Sequence, residues 1–417
     1  MAERAVELKA IAPAIAQAKP SQRRRSLRRR YSAAPWWLSV LVVWVLSRVV
    51  TTSILLWFAA RQEANAWTGP HPNYLSFAQL WDSTWYYIVA AGGYPSVLPM
   101  TADGHVSENA WAFMPGYPLV IRGLMALTGV PWAPLSVFVS FAFSLAGALM
   151  FYRLMRLVLP GDTALFSVVL FCVAPLSPIM QVSYAESMHT FLLMLALYLL
   201  MKRRYGAMIP VIALMALTRP SGLAFALALS IHVVYRFVVR ARDPFPLGER
   251  ILASGVAMFS GLMGLAWPLL AWVVTGSLTA YTDTELAWRA PYLAHGELVP
   301  FTPWIQGAGY WMPGPLGLIV LAIVLVGFCA FLFTRPVRRL GVDLRIWVVS
   351  YGLYLLAVFF PQSSTFRLLV PMFPLAGALA QPRSRLYRIG LVLLFIAGQW
   401  VWIYYCWWVD GYDWTPP

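Results

Sequence analysis

Charge is what this chain has least of. Only 11% of its 417 residues are charged while 60% are hydrophobic, which leaves too little polar surface to cover a soluble globule of this size. Cysteine is nearly absent. Cys172, Cys329 and Cys406 each sit inside an apolar run with no C-x-x-C spacing, so neither a disulfide framework nor a zinc ribbon is expected, and the redox compartment stays open. There is no P-loop, no G-x-G-x-x-G after a strand, no H-E-x-x-H and no G-x-S-x-G, so the common nucleotide, zinc-protease and hydrolase signatures are missing. His71, His105, His189, His232 and His295 are scattered. No histidine metal site and no cofactor are implied, and a divalent metal is left open. Internal repeats, Gly/Ser linkers and a soluble domain are also lacking.

What the chain has instead is a succession of long apolar runs, which makes it an all-α polytopic membrane protein. The runs are Trp36–Ala60, Pro134–Arg153, Asp162–Met180, Ser183–Met201, Gly206–Thr218, Gly222–Val239, Ile251–Thr275, Pro313–Phe333, Leu344–Phe360, Leu368–Ala380 and Ile389–Val409. Two of them, Gly206–Thr218 and Leu368–Ala380, fall short of the roughly 20 residues that a span prefers. Trp36–Ala60 is too long for a signal-peptide core and is expected to remain as an anchor.

The net charge of +15 reads as topology rather than nucleic-acid binding. Nine Lys and Arg fall in residues 1–35 and the rest cluster between alternate pairs of runs, so that 25 of the 31 share one side. Basic residues mark the cytoplasmic side. Residues 1–35 are therefore expected to be a disordered cytoplasmic tail touching anionic membrane lipid, with no nucleic-acid partner. Parity then requires eleven transmembrane helices and a short extracytoplasmic tail at 410–417. It also places Pro115–Gly129, which carries Arg122, as an amphipathic helix on the outer surface. The outer loops, at about 59–114 and 276–312, are the long polar stretches where function is expected.

The first of these loops holds W-D-S-T-W-Y-Y-I-V-A-A-G-G-Y at Trp81–Tyr94 and N-A-W-A-F-M-P-G-Y-P at Asn109–Pro118. Asp82 is the residue to explain, because an ionisable group at the lip of so apolar a protein is costly and is more often kept for chemistry. Trp81, Trp85 and Ile88 recur at i, i+4, i+7, which predicts a helix in the interface with Asp82 and Tyr86 on another face. The plainer alternative is that Asp82 caps that helix. Glu186 in Ser183-Tyr184-Ala185-Glu186 has two even readings, a capping box with Ser183 or a substrate contact. Arg219 and Arg367 stand at the outer ends of the two short runs, against the positive-inside bias. Their planar forks suit a phosphate, and the alternative is an ion pair with Asp82, Glu186 or a lipid headgroup. Most of the 20 tryptophans read as interface belt; Trp81, Trp85 and Trp111 flank the acidic loop and are read as substrate contacts.

With these residues in view, the chain resembles the PIG-V family of mannosyltransferases, which are multi-spanning glycosyltransferases of the GT-C fold. The resemblance rests on Trp81-Asp82 with its aromatic helix and Gly93-Tyr94, on Ala112-Phe113-Met114-Pro115-Gly116-Tyr117-Pro118, on Tyr184-Ala185-Glu186-Ser187, and on Arg219 and Arg367. Met114 stands where the family often has Phe. The resemblance implies a catalytic acidic residue at Asp82, a polyprenyl-phosphate sugar as donor and inversion at the sugar. Tyr86, Tyr117, Tyr184 and Glu186 are expected with the tryptophans around the substrate. Arg- and Ala-rich sequence with few Lys suits a GC-rich bacterial genome, where the GPI lipid mannosylated by the best-known members is absent, so the acceptor is left as a lipid-linked or cell-envelope molecule.

The expectation is an extracytoplasmic active site in which Asp82 is the general base and Arg219 and Arg367 hold the lipid phosphate. The rival class is a polyprenyl-lipid transporter or flippase, and a GT-C enzyme using another lipid-linked sugar is a nearer variant. Should Asp82 prove a cap, the base is to be sought at Glu186, Asp103, Glu108 or Asp283.

Overall fold

A computed structural model describes residues 35–409; the basic segment 1–34 and the C-terminal 410–417 lie outside the described residues. Among these residues the structure is helical, and the only extended pairing is an isolated bridge between Met100 and Val106. Leaving aside single turns, the helices in chain order begin with α1 (Trp36–Ala59), α2 (Asp82–Gly92), α3 (Gly116–Thr128), α4 (Trp132–Met155), α5 (Gly161–Val173), α6 (Glu186–Met201), α7 (Tyr205–Ala216) and α8 (Gly222–Val238). They continue with α9 (Leu247–Thr275), α10 (Ala280–Ala287), α11 (Thr302–Trp311), α12 (Pro315–Leu332), α13 (Val342–Val358), α14 (Pro374–Leu379) and α15 (Arg385–Trp402). Proline stands at the residue before α1, α4, α5 and α9, where its fixed φ feeds an extended chain into the first turn.

Every apolar run of the sequence carries helix, but not every run is one helix. The segments long and apolar enough to cross a membrane are α1, α4, α9, α12 and α15 with its π-helical extension to Trp407. Helices α5 to α8 are apolar and shorter. At about 1.5 Å per residue the 12-residue α7 covers about 18 Å, well under the roughly 30 Å of a hydrocarbon core. The run at Leu368–Ala380 is broken by Pro371 and Pro374 into the turn Thr365–Leu368, a 3-10 turn Val370–Met372 and α14. The outer loops are also less open than the sequence suggests, since they contain α2 and the turn Tyr74–Phe77 in one and α10 and α11 in the other.

Helix α8 packs along α9 and against α13, while α6, the more buried of the two, packs on α4 and α7. The basic clusters gather at one end. Arg203 on the α6–α7 turn meets Asp243 after α8 at 2.5 Å, His232 meets Asp343 of α13 at 2.7 Å, and Gln381 donates to Pro336 O at 2.6 Å. Arg48, inside α1, donates to Cys172 O at 2.7 Å and Ser177 O at 3.1 Å. It thereby satisfies carbonyls that the end of α5 leaves open.

Candidate active site

Because α7 stops short and Leu368–Ala380 is broken, irregular backbone lies inside the bundle, a placement allowed only where it lines a cavity or is buried in protein. That cavity is present. It has a volume of about 1020 Å³ and is lined from α2, α6, the 219–222 turn, α9, α10, α13 and the segment 362–371.

Asp82 is the first residue of α2 and is 8% exposed. Its entry is unusual, because Trp81 carries φ 60° and ψ −127°, a conformation costly for a bulky side chain and found mostly where neighbours hold it for a purpose. The neighbours are identifiable: Trp81 Nε1 donates to Trp407 O at 3.0 Å, and the Asp82 N–H donates to Tyr184 Oη at 3.0 Å. Trp81 holds the N-cap position, with no side-chain cap bond, while Asp82 stands one residue inside the helix and its carboxylate pairs with Arg367.

Glu186 opens α6 and pairs with Arg219. The capping box is not formed. The residue preceding the helix is Ala185 with no side-chain cap, and Ser183 Oγ is taken by Ser136 Oγ at 2.7 Å and by Gln79. A tertiary ion pair thus displaces the local pattern. Arg367 also reaches Glu186 at 3.9 Å and lies over the Tyr184 ring, with 5.8 Å from its Cζ to the centroid. Two carboxylates and two guanidiniums therefore meet in one chain of contacts, with Arg367 touching both acids.

The two arginines are fixed mainly through backbone. Gly116 N–H donates to Leu217 O at 2.7 Å, and a Cβ at Gly116 would stand 2.7 Å from Thr218 Oγ1 and 2.8 Å from Leu217 O. On the other side of Arg219, a Cβ at Gly222 would stand 2.6 Å from Gly264 Cα. Only glycine permits either approach. The segment bearing Arg367 is held by α13, whose Tyr351 Oη donates to Leu368 O and whose Trp347 Nε1 donates to Pro371 O, both at 2.8 Å.

Aromatic rings form the rim. Trp85 stacks on Phe113 with 5.6 Å between centroids and meets the edge of Trp288 at 5.8 Å. Further acids face the same space. Glu285 on α10 borders the open cavity, yet the protein around it desolvates the carboxyl and pushes its pKa up, with Tyr281 as a hydrogen-bond partner. The Glu108 carboxyl is pushed up as well, by burial first and the Asp82 carboxylate second. Arg289 donates to Val358 O. Among the described residues no three His, Cys, Asp or Glu side chains cluster to hold a metal.

The chain matches no protein-family model and no curated protein. In structure it is similar to ArnT from Cupriavidus metallidurans bound to undecaprenyl phosphate, with a TM-score of 0.48 and 14% identity over 85% of this chain and 62% of that one. It is also similar to the archaeal oligosaccharyltransferase AglB from Archaeoglobus fulgidus in complex with an inhibitory peptide and a dolichol-phosphate. There the TM-score is 0.43 and the identity 12%, over 87% of this chain and 55% of that one. The chain thus spans less than two thirds of the length of either.

Of the residues singled out in the sequence, Asp82, Glu186, Arg219, Arg367, Trp81 and Trp85 line the cavity. Tyr86, Trp111, Tyr117 and Tyr184 do not line it; they stand behind its wall. Trp111 is packed with Tyr94 and Trp267 and donates to Pro95 O at 3.0 Å. Tyr117 Oη donates to Ser136 O at 2.9 Å, and Tyr86 is wedged among Phe113, Tyr117 and Tyr184. The stripe of Trp81, Trp85 and Ile88 faces the cavity, while Ser83, Tyr86 and Val89 are the buried side of α2. Glu285, Arg289, His189 and Thr190 line the cavity without having been singled out. Tyr281, Glu285 and Arg289 recur at i, i+4, i+8, a helical spacing in the second outer loop that was there to be read.

Proposed function

We propose that this protein is an integral membrane glycosyltransferase of the GT-C kind that takes a sugar from a polyprenyl-phosphate carrier and gives it to a lipid-linked or cell-envelope acceptor outside the cytoplasm. The observation that carries this reading is the meeting of Asp82, Glu186, Arg219 and Arg367 in one cavity with Arg367 Nε buried and unpartnered. A buried donor with no acceptor is expensive; Arg236 and Arg345 hold one too, but of the three Arg367 alone lines the cavity, where a phosphate oxygen is the acceptor that a guanidinium suits best. The blocks that resemble PIG-V mannosyltransferases support mannose as the sugar.

The chemistry follows from the pairing. With the donor phosphate between Arg219 and Arg367, the Arg367 fork is shared between phosphate and Asp82, and the carboxylate has an oxygen for the acceptor hydroxyl. The acceptor proton passes to Asp82 and the acceptor oxygen bonds to the anomeric carbon. The bond from that carbon to the phosphate oxygen breaks, and polyprenyl phosphate leaves with the electron pair, its charge met by the two arginines. The resemblance to PIG-V mannosyltransferases implies inversion at the anomeric centre, with the acceptor attacking from the face opposite the phosphate. The chain itself supplies positive charge at the phosphate, and a divalent metal is left open.

Transfer from polyprenyl-phosphate mannose in membranes holding the protein tests the reading. Asp82→Asn keeps the side-chain volume, so it is expected to insert normally and to lose about 10²- to 10⁴-fold in rate. Near wild-type transfer by Asp82→Asn removes the general base from the scheme. Translocation of the lipid by wild-type protein with no new glycosidic bond favours the transporter.

A further inference from the structure

Two residues of α6 that line the cavity each keep a buried polar atom with no partner. Glu186 gives Oε1 to Arg219, while its Oε2 makes no hydrogen bond. One turn further on, Thr190 Oγ1 makes none either. Both residues line the cavity and are 4% and 2% exposed. A helical Thr or Ser in an apolar setting ordinarily turns its hydroxyl to the carbonyl four residues back. In this chain Thr51, Ser167 and Thr218 do so, at 3.0, 2.8 and 2.6 Å; Ser187, Thr190 and Ser350 do not, and of these three Thr190 lines the cavity. His189, beside it, is already engaged with Ser221 Oγ at 2.8 Å. The orphans are thus a carboxylate oxygen, which only accepts, and a hydroxyl, which both donates and accepts. At positions i and i+4 they share one face of the helix.

Glu186 touches Arg219 and lies 3.9 Å from Arg367, so a phosphate clasped by the two guanidiniums brings whatever is esterified to it against this face. We propose that Glu186 Oε2 and Thr190 Oγ1 form a hydroxyl-reading subsite that selects the sugar of a glycosyl-phosphate lipid. The inference rests on the phosphate-binding reading of Arg219 and Arg367. Physically it follows from the asymmetry of buried hydrogen bonds, in which an unmade bond costs more than a made one gains. A site built to bond hydroxyls therefore rejects a sugar that lacks or misplaces one more strongly than an apolar wall could.

Binding in detergent, which needs no turnover, tests it with three probes: bare polyprenyl phosphate, polyprenyl-phosphate mannose and polyprenyl-phosphate glucose. Wild type is expected to bind one glycosylated lipid about tenfold more tightly than the other, the value of roughly one buried hydrogen bond. Thr190→Val, which keeps the shape and removes the hydroxyl, is expected to erase that difference and leave the bare lipid unchanged. Thr190→Ser restores the difference. If Thr190→Val weakens all three lipids alike, or none, the subsite is overturned while phosphate binding stands. If wild type binds none of them, the phosphate reading fails and the subsite falls with it.

Discussion

The molecule holds two clusters of opposed charges, and they differ in what lies against them. At the end where the basic clusters gather, Arg236 meets Glu249 at 3.0 Å and Asp243 at 3.3 Å, and donates to Pro244 O at 3.0 Å. His232 has a partner at each ring nitrogen, Tyr205 at 2.9 Å and Asp343 at 2.7 Å. No cavity residue belongs to this network. It ties α7, α8, α9 and α13 together, and its one unbonded donor, Arg236 Nε, still stands 3.3 Å from the Asp243 carboxylate. The cluster around Asp82 has the same ingredients, yet it faces about 1020 Å³ of open space and keeps unpartnered atoms on both Arg367 and Glu186. Counting ion pairs does not separate a lock from a site; unmade hydrogen bonds on residues that line open space do.

The comparison breaks most sharply at Arg367. Arg367→Lys keeps the charge and removes the fork, and transfer from the lipid donor is expected to fall about 10²- to 10³-fold, as for loss of a preorganised donor, with little change in melting temperature in detergent. A melting loss as large as the loss of transfer would make Arg367 a lock after all. The reverse pattern is expected at the other end. Arg236→Met leaves Glu249 unpaired, and breaking a pair of this kind costs about 3 kcal/mol. The melting temperature should drop by several degrees while turnover per folded molecule stays within a factor of two. A large effect on turnover would show that the two ends communicate.

A smaller effect sharpens the cavity's own electrostatics. Burial holds the Glu285 carboxyl above its usual value, so the folded state binds this proton more tightly than the unfolded chain does. Its contribution to stability is complete below the ordinary carboxylate range and is lost as pH rises through the raised folded value. Glu285→Gln cannot ionise. The melting temperature of wild type minus that of Glu285→Gln should therefore decline as pH rises from the carboxylate range toward neutrality and then level off. A difference that is flat with pH would place Glu285 in a solvated position.

The sequence was informative wherever a rule concerned rarity and less so where it concerned neighbours. Asp82, Glu186, Arg219 and Arg367 stood out because charge is costly in an apolar chain, and they line one cavity. The break at Leu368–Ala380 was also written in Pro371 and Pro374, although its length alone made it a span. The local patterns did worse. Ser183 and Glu186 have the spacing of a capping box, but the spacing carries no information about Arg219, which takes the carboxylate, or about Gln79 and Ser136, which take the hydroxyl. Periodicity identified a face of α2 at Trp81, Trp85 and Ile88 and could not say that a cavity lies against it. Thr190 had no signal at all, since one Thr in an apolar helix is ordinary until its hydroxyl is found without a partner.

The glycines at 116 and 222 divide the site into parts with different freedom to change. The Arg219 turn is aimed by main chain lying against main chain, so one extra methyl at either seam would shift the guanidinium, whatever the surrounding side chains. The walls at Thr190, Trp85 and Glu285 are not part of those seams and take no share in that aim. Such a frame can keep its reaction while its lining is rewritten, so that new sugars or acceptors become reachable by point substitution, provided that the two glycines stay where they are.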